Sequence, residues 1–481
     1  MKRALVVAAV VTLAACGNTA NPALQRAAQR AQTSTSTVVA GPGGGVVNGT
    51  AGVAAPLSSG QPVPGSTVAA PQGGGTTSGG GGGSTTGSTG PAVPAPAGGN
   101  GGATDVGVTA DSITVGNVSD LSGPVPGLFQ GAVIGTQAYF AKINAEGGVY
   151  GRQLKVAVGD GQLDCSANKA ATTDLAPKVF AFVGSFSLYD NCGLPAMQAQ
   201  PNESAVQVAL SDALNAYPRN FAVAPLAAGW RQGPLNYYAT KYGDAWKHIG
   251  SIYANVGSSP AIWGHVKKAI TASGGAVVSE YGYGPNDTDF TAEVIRMQRD
   301  GVQMFFSTAV DGAYAAKFVN AARSQQVTWP LIFGGGAYDQ TFLKQAGDNA
   351  NGVFNDMLYA RFFNADEAAT IPAVKDYQTW TVRVGGKNVI QDLYSAYAWG
   401  SAQLFVDALK RAGPKPTRLS LIAALHEVKS FDADGLLSPS GPGDKRPASC
   451  WLLVQVVKGT WQRVDSPAST FRKDCPYFKE P

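Results

Sequence analysis

Five cysteines, at positions 16, 165, 192, 450 and 475, hold most of the reactive chemistry in this 481-residue chain. Cys16 stands alone near the start. The other four form an even set, which in an exported chain reads as two disulfides. Of the three possible pairings, nearness in sequence favours Cys165–Cys192 and Cys450–Cys475. No metal centre is expected, because no two cysteines have Cys-x-x-Cys spacing and the histidines, His248, His265 and His426, stand apart. Catalysis by a nucleophile needs a base held beside it, and the sequence contains no Gly-x-Ser-x-Gly, His-Glu-x-x-His or phosphate-loop pattern. Gly385-Gly386-Lys387 lacks the upstream glycine and the hydroxyl of a phosphate loop. Asp287 and Asp289 sit in a Gly/Pro/Asn turn before a helical run, where capping is their expected role. This inventory belongs to a chain that binds and does not catalyse, with no cofactor.

The first sixteen residues set the compartment. Lys2 and Arg3 precede an apolar run, Ala4 to Ala15, of the length of a secretory core and too short for a lasting membrane span. The run ends in Leu13-Ala14-Ala15-Cys16, which resembles the lipobox of bacterial lipoproteins, so Cys16 is the expected lipidation site. From Ala31 to Thr104 no charged residue occurs, and the composition is Gly, Ser, Thr, Pro, Ala and Val. Such a stretch has too little apolar bulk to offset the entropy of ordering. Residues 17–106 are therefore expected to form a disordered tether spanning roughly 50 Å. Beyond residue 104 basic and acidic residues balance, 32 against 32, which speaks against a nucleic-acid or membrane-surface partner.

The remaining residues alternate short β-branched runs with longer helical ones. Predicted strands at Ile113–Val118, Leu154–Val158, Val179–Gly184, Val206–Leu210 and Phe221–Ala224 form a first block. A second block has strands at Ser251–Ala254, Val277–Tyr281, Met304–Ser307 and Leu331–Gly334, with helices between. Helical stretches Pro372–Val384, Leu393–Arg411 and Leu419–Val428 follow, then a strand pair, Trp451–Val457 and Trp461–Val464. Regular alternation implies parallel sheets covered on both faces, and two series imply two α/β lobes. Ligands of such sheets lie beyond the carboxyl ends of the strands. The loops there supply the candidates: Ser122, Ser185, Phe186, Ser187, Ser211 and Asp212 from the first lobe, and Trp230, Asn255, Asp311 and Tyr338 from the second.

Leu121-Ser122-Gly123-Pro124, the segment Ile143-Asn144-Ala145-Glu146-Gly147-Gly148-Val149-Tyr150-Gly151-Arg152-Gln153-Leu154 and Asp160 closely resemble the opening of the type I periplasmic-binding family. Its Leu/Ile/Val-binding branch is nearest, and the Cys165 to Cys192 interval resembles that branch's disulfide. The resemblance implies a doubly wound α/β fold whose two lobes, joined by a three-strand hinge, close on a small solute. Lobe 1 would comprise 107–226 and about 361–435, and lobe 2 would comprise 227–360 and about 446–481. It further implies a monomer, anchored outside the cell membrane, serving ABC permease and ATPase subunits. A ligand sensor acting through a partner membrane protein is the alternative, and the neighbouring genes discriminate the two. In the amino acid-binding members an acid of the second lobe meets the ammonium, but here Gly335-Gly336-Ala337-Tyr338 stands at that place. An amide or organic acid with an apolar body is thus expected in preference to leucine, isoleucine or valine.

Overall fold

Runs of β-branched and aromatic residues form the strands, and capping side chains begin six of the helices described below. The computed structural model describes residues 93–480 apart from 227, 309, 364 and 465–470. The expected signal sequence, the expected lipidation site Cys16 and the expected tether as far as residue 92 lie outside the described residues. In the first lobe, β1 (Ser112–Ser119), β2 (Gln153–Asp160), β3 (Phe182–Val183) and β4 (Ala205–Val206) form a parallel sheet ordered β2-β1-β3-β4. Parallel neighbours need crossover connections, and α1 (Gln130–Ala145), α2 (Cys165–Leu175) and α3 (Asp190–Gln198) supply them, followed by the short α4 (Asp212–Ala216). Val118, Leu175, Phe182, Leu194 and Met197 make a small core between one sheet face and α2 and α3.

A short strand, β5 (Gly229–Arg231), opens the second lobe. The main sheet there contains β6 (Ile249–Ala254), β7 (Val277–Tyr283), β8 (Met304–Thr308), β9 (Leu331–Gly334), β10 (Phe354–Met357), β11 (Leu452–Val457) and β12 (Thr460–Arg463). Their order is β12-β11-β10-β9-β8-β6-β7, parallel from β7 to β10 and antiparallel at β11 and β12. Around it run α5 (Gly233–Tyr242), α6 (Ser259–Ala272), α7 (Thr291–Arg299), α8 (Gly312–Ser324) and α9 (Gln340–Ala346). The chain continues through α10 (Ala365–Thr370), α11 (Pro372–Gly385), α12 (Leu393–Ala412) and α13 (Arg418–His426), and α11 and α12 pack on α1 of the first lobe. The last strand, β13 (Tyr477–Lys479), pairs antiparallel with β5. Three passages connect the lobes side by side. The N–H of Ser438 donates to Leu358 O at 2.7 Å, that of Ala360 to Leu436 O at 2.8 Å, and Ser440 Oγ to Val223 O at 2.6 Å.

Several expectations change. The third strand shrinks to Phe182–Val183, and Phe221–Ala224 is buried without being a strand, because it leads directly into a crossing passage. The β5–β13 ribbon has no counterpart in the sequence reading. Arg361 and Glu367 are held on the second sheet, pairing with each other at 2.9 Å, and Glu367 also meets Arg463 of β12 at 3.3 Å. The tether does not extend to residue 106, because 93–106 folds onto the first lobe. Val93 bridges Val149, and the fully buried Arg152 donates to the carbonyls of Asn100, Gly102, Thr109 and Pro414 at 2.6–2.9 Å. A buried guanidinium is costly unless its donors are satisfied, and this polar segment provides two of the carbonyls. Gly148, at φ +78°, makes the turn before Arg152; a Cβ there would lie 2.1 Å from Arg152 O.

Both expected disulfides are present, with Cα separations of 5.4 Å for Cys165–Cys192 and 4.5 Å for Cys450–Cys475. The first joins the start of α2 to the first turn of α3, helix to helix.

Candidate functional site

Between the lobes lies a cavity of about 1220 Å³, counting the space at its mouth. The first lobe contributes Val125, Leu128, Phe129, Leu163, Phe186, Leu188, Val208 and Leu210, all apolar. The second lobe contributes Trp230, Arg231, Val256, Ile262, Tyr283, Asp311, Tyr314, Asp356 and the backbone of Gly334–Gly336, while Leu393, Tyr394 and Tyr397 come from the first turns of α12. The lobes touch where the N–H of Ser258 donates to Leu188 O at 2.9 Å. Gly257 permits this approach, since a Cβ there would stand 2.4 Å from the same carbonyl oxygen.

Charge in the cavity is confined to two places. Arg231 donates through Nη2 and Nε to Asp356 Oδ1 at 2.6 and 2.9 Å, and the Tyr238 hydroxyl donates to Asp356 Oδ2 at 3.0 Å. Burial opposes the Arg231 charge, but Asp356 more than offsets it and holds the guanidinium above its ordinary pKa. The Arg231 guanidinium also lies 4.6 Å from the Trp230 ring centre. Asp311 caps α8, its Oδ1 accepting from the N–H groups of Ala313 and Tyr314 at 2.9 and 3.3 Å. Burial raises its carboxyl pKa against the pull of these bonds. Burial likewise pushes the Tyr397 hydroxyl up to about 12 and those of Tyr283 and Tyr394 well above their usual value.

Of the ten residues expected at the ligand, Phe186, Trp230 and Asp311 line this cavity. The other seven are placed elsewhere. Ser122 Oγ donates to Asp160 at 2.5 Å. Ser185 Oγ accepts from Val118 N at 3.1 Å, and Ser187 Oγ donates to Asp120 at 2.9 Å. Ser211 caps α4 through Leu214 N at 3.2 Å. Asp212 faces His265 at 3.1 Å across a smaller adjoining cavity. Asn255 pairs through its N–H with Tyr283 O at 2.7 Å. Tyr338 is 1% exposed, its ring 4.6 Å from that of Phe363 and its hydroxyl accepting from Phe362 N and Phe363 N. Sequence reasoning missed Arg231, Asp356, Tyr283, Tyr394 and Tyr397. The available signals were tyrosines spaced i, i+3 at the start of a predicted helix and a basic residue directly after Trp230.

Comparison with known proteins bears on this architecture. Residues 112–460 match the family model described as periplasmic binding protein. Among solved structures, the chain is similar to a fatty acid ABC transporter substrate-binding protein from Thermomonospora curvata. That protein is 22% identical, with a TM-score of 0.62 over 79% of this chain and 97% of that one. An ABC transporter solute binding protein from R. palustris in complex with benzoate is 16% identical, with a TM-score of 0.61 over 77% and 98%. A branched-chain amino acid transporter substrate binding protein from Streptococcus pneumoniae in complex with isoleucine is 18% identical, with a TM-score of 0.57 over 75% and 100%. No curated protein sequence matches the chain. With 112–460 matched and both lobes in this arrangement, the chain belongs to the periplasmic binding protein family.

Proposed function

We propose that this chain is the solute receptor of an ABC-type importer, lipid-anchored through Cys16 outside the cell membrane, and that it closes on a solute with a large apolar body. It acts as a monomer, without catalysis or cofactor, and hands its solute to permease and ATPase subunits. Lobe 1 takes in residues 93–226 and about 371–435, and lobe 2 about 228–367 and 446–480, the shift at each start following the packing of 93–106 and 361–367.

One observation carries the reading: among the described residues, the strand-end loops of the first lobe line the cavity with apolar side chains alone, and the hydroxyls that lobe brings to it are those of Tyr394 and Tyr397 on α12. In that lobe the strand-end hydroxyls expected to hold an α-carboxylate are already bonded to protein groups. A leucine carboxylate would lie against Phe186 and Leu188 with no cation and none of the strand-end hydroxyls to replace its water, at a cost of several kcal/mol. An apolar body, by contrast, gains about 25 cal/mol per Å² removed from water. The T. curvata and R. palustris proteins, named with fatty acid and benzoate, indicate that this fold accommodates such bodies.

Calorimetry with a series of straight-chain alkanols tests the proposal. Affinity should climb about fourfold per added methylene until the cavity is filled, while leucine, isoleucine and valine bind weakly. Affinity independent of chain length, or submicromolar valine binding, would overturn it.

A further inference from the structure

Three described residues lining the cavity carry charge: Arg231, Asp356 and Asp311. Arg231 and Asp356 neutralise each other through two bonds, so Asp311 remains. No basic side chain is among the groups acting on its carboxyl, and the acid Asp339 stands close by. Tyr283 and Tyr394 are both close enough to feel its charge. Tyr283 is 3% exposed and lines the cavity, and its hydroxyl has no hydrogen-bond partner among the described residues. Tyr314 adds less, because its ring already lies between Tyr283 at 4.5 Å and Lys317 Nζ at 4.1 Å. Asp339 and Asp392, the caps of α9 and α12, act on Tyr394 as well.

Among the described residues the cations nearest this end are Arg231, already paired with Asp356, and Lys317, on the far face of the Tyr314 ring and bonded to Asp287 O. An anionic head group would be buried beside carboxylates without a free counter-charge, which is costly. A cationic head would gain a carboxylate partner and neighbouring aromatic rings. We propose that the solute is an amphipathic organic cation, its nitrogen at Asp311 beside Tyr283 and Tyr394 and its apolar body along the first-lobe wall. This rests on the reading of the cavity as the solute site.

Octylammonium, octanol and octanoate share one apolar body and differ in charge, so calorimetry with the three isolates the head group. Asp311→Asn removes the charge yet keeps a side chain that caps helices equally well. The wild-type chain should bind octylammonium at least about tenfold more tightly than octanol or octanoate, and Asp311→Asn should bring octylammonium down to the level of octanol. Because burial holds the Asp311 carboxyl above its ordinary value, lowering the pH protonates it early. Octylammonium affinity should thus fall as the pH is lowered in the wild type, and more steeply than in Asp311→Asn, where Asp339 and Asp392 are the neighbouring carboxyls left to titrate. Tighter binding of octanoate than of octylammonium, or a preference for ammonium that survives in Asp311→Asn, overturns the proposal. Octanol binding with octylammonium no better overturns the cation alone, whereas failure of all three to bind overturns the apolar reading as well.

Discussion

Asp392 caps α12 with its side chain, accepting from Ser395 N at 2.7 Å, and burial pushes its carboxyl up to about 7 against that bond. The folded state consequently keeps a proton that the unfolded chain releases near pH 4. Between those values the native form binds more protons, so this group's contribution to stability falls as pH rises from about 4 to about 7. Asp392→Asn preserves the cap and removes the titration. Denaturant unfolding at both ends of that window should show the variant losing less stability than the wild type, by up to about 4 kcal/mol; equal losses would remove Asp392 as the cause. The same competition between water and backbone explains which site residues were legible in the sequence. Phe186, Trp230 and Asp311 could be found because strand-end loops lead into the cavity. Ser185 and Ser187 could not be excluded from sequence alone, since a short hydroxyl beside a strand end reaches a backbone N–H or the buried Asp120 before it reaches solute.

At the scale of elements, alternation of strand and helix was readable wherever a run was long enough to carry a period. The exceptions are short. β5 and β13 have three residues each, too few to show a pattern, yet their pairing sets Trp230 and Arg231 in the cavity wall. Phe221–Ala224 has strand composition but is apolar because it is buried in a crossing passage. The Cys165–Cys192 link joins two helices near their N-terminal ends, and neither cysteine lines the cavity. Replacing both by serine should cost about 2–5 kcal/mol in thermal or denaturant unfolding while leaving alkanol affinity within about twofold. A loss of binding at temperatures where the variant is fully folded would show that α2 and α3 shape the first-lobe wall.

For the whole molecule, the two-lobed plan was legible from the repeat of strand–helix series, but the start of the folded part was not. Residues 93–104 read as linker because they contain glycine, proline and almost no large apolar side chain. Their role is to offer backbone carbonyls to Arg152, which composition does not reveal. A chain beginning at Asp105 would remove Asn100 O and Gly102 O from that guanidinium. It should unfold at about 1–3 kcal/mol lower stability than one beginning at Val93; equal stabilities would mean that water replaces the lost carbonyls without cost.

The same clamp around Arg152 also decides where a mechanical load on the N-terminal side of Val93 enters the protein. Val93 bridges Val149, Thr104 Oγ1 donates to Pro416 O at 2.5 Å, and Arg152 ties Asn100 and Gly102 to Pro414. All of these anchor points lie in the first lobe. A pull arriving through Val93 would therefore strain the first lobe alone and would bypass the three passages between the lobes. A swing of the second lobe about those passages would not work against such a load, so opening and closing need not depend on its size.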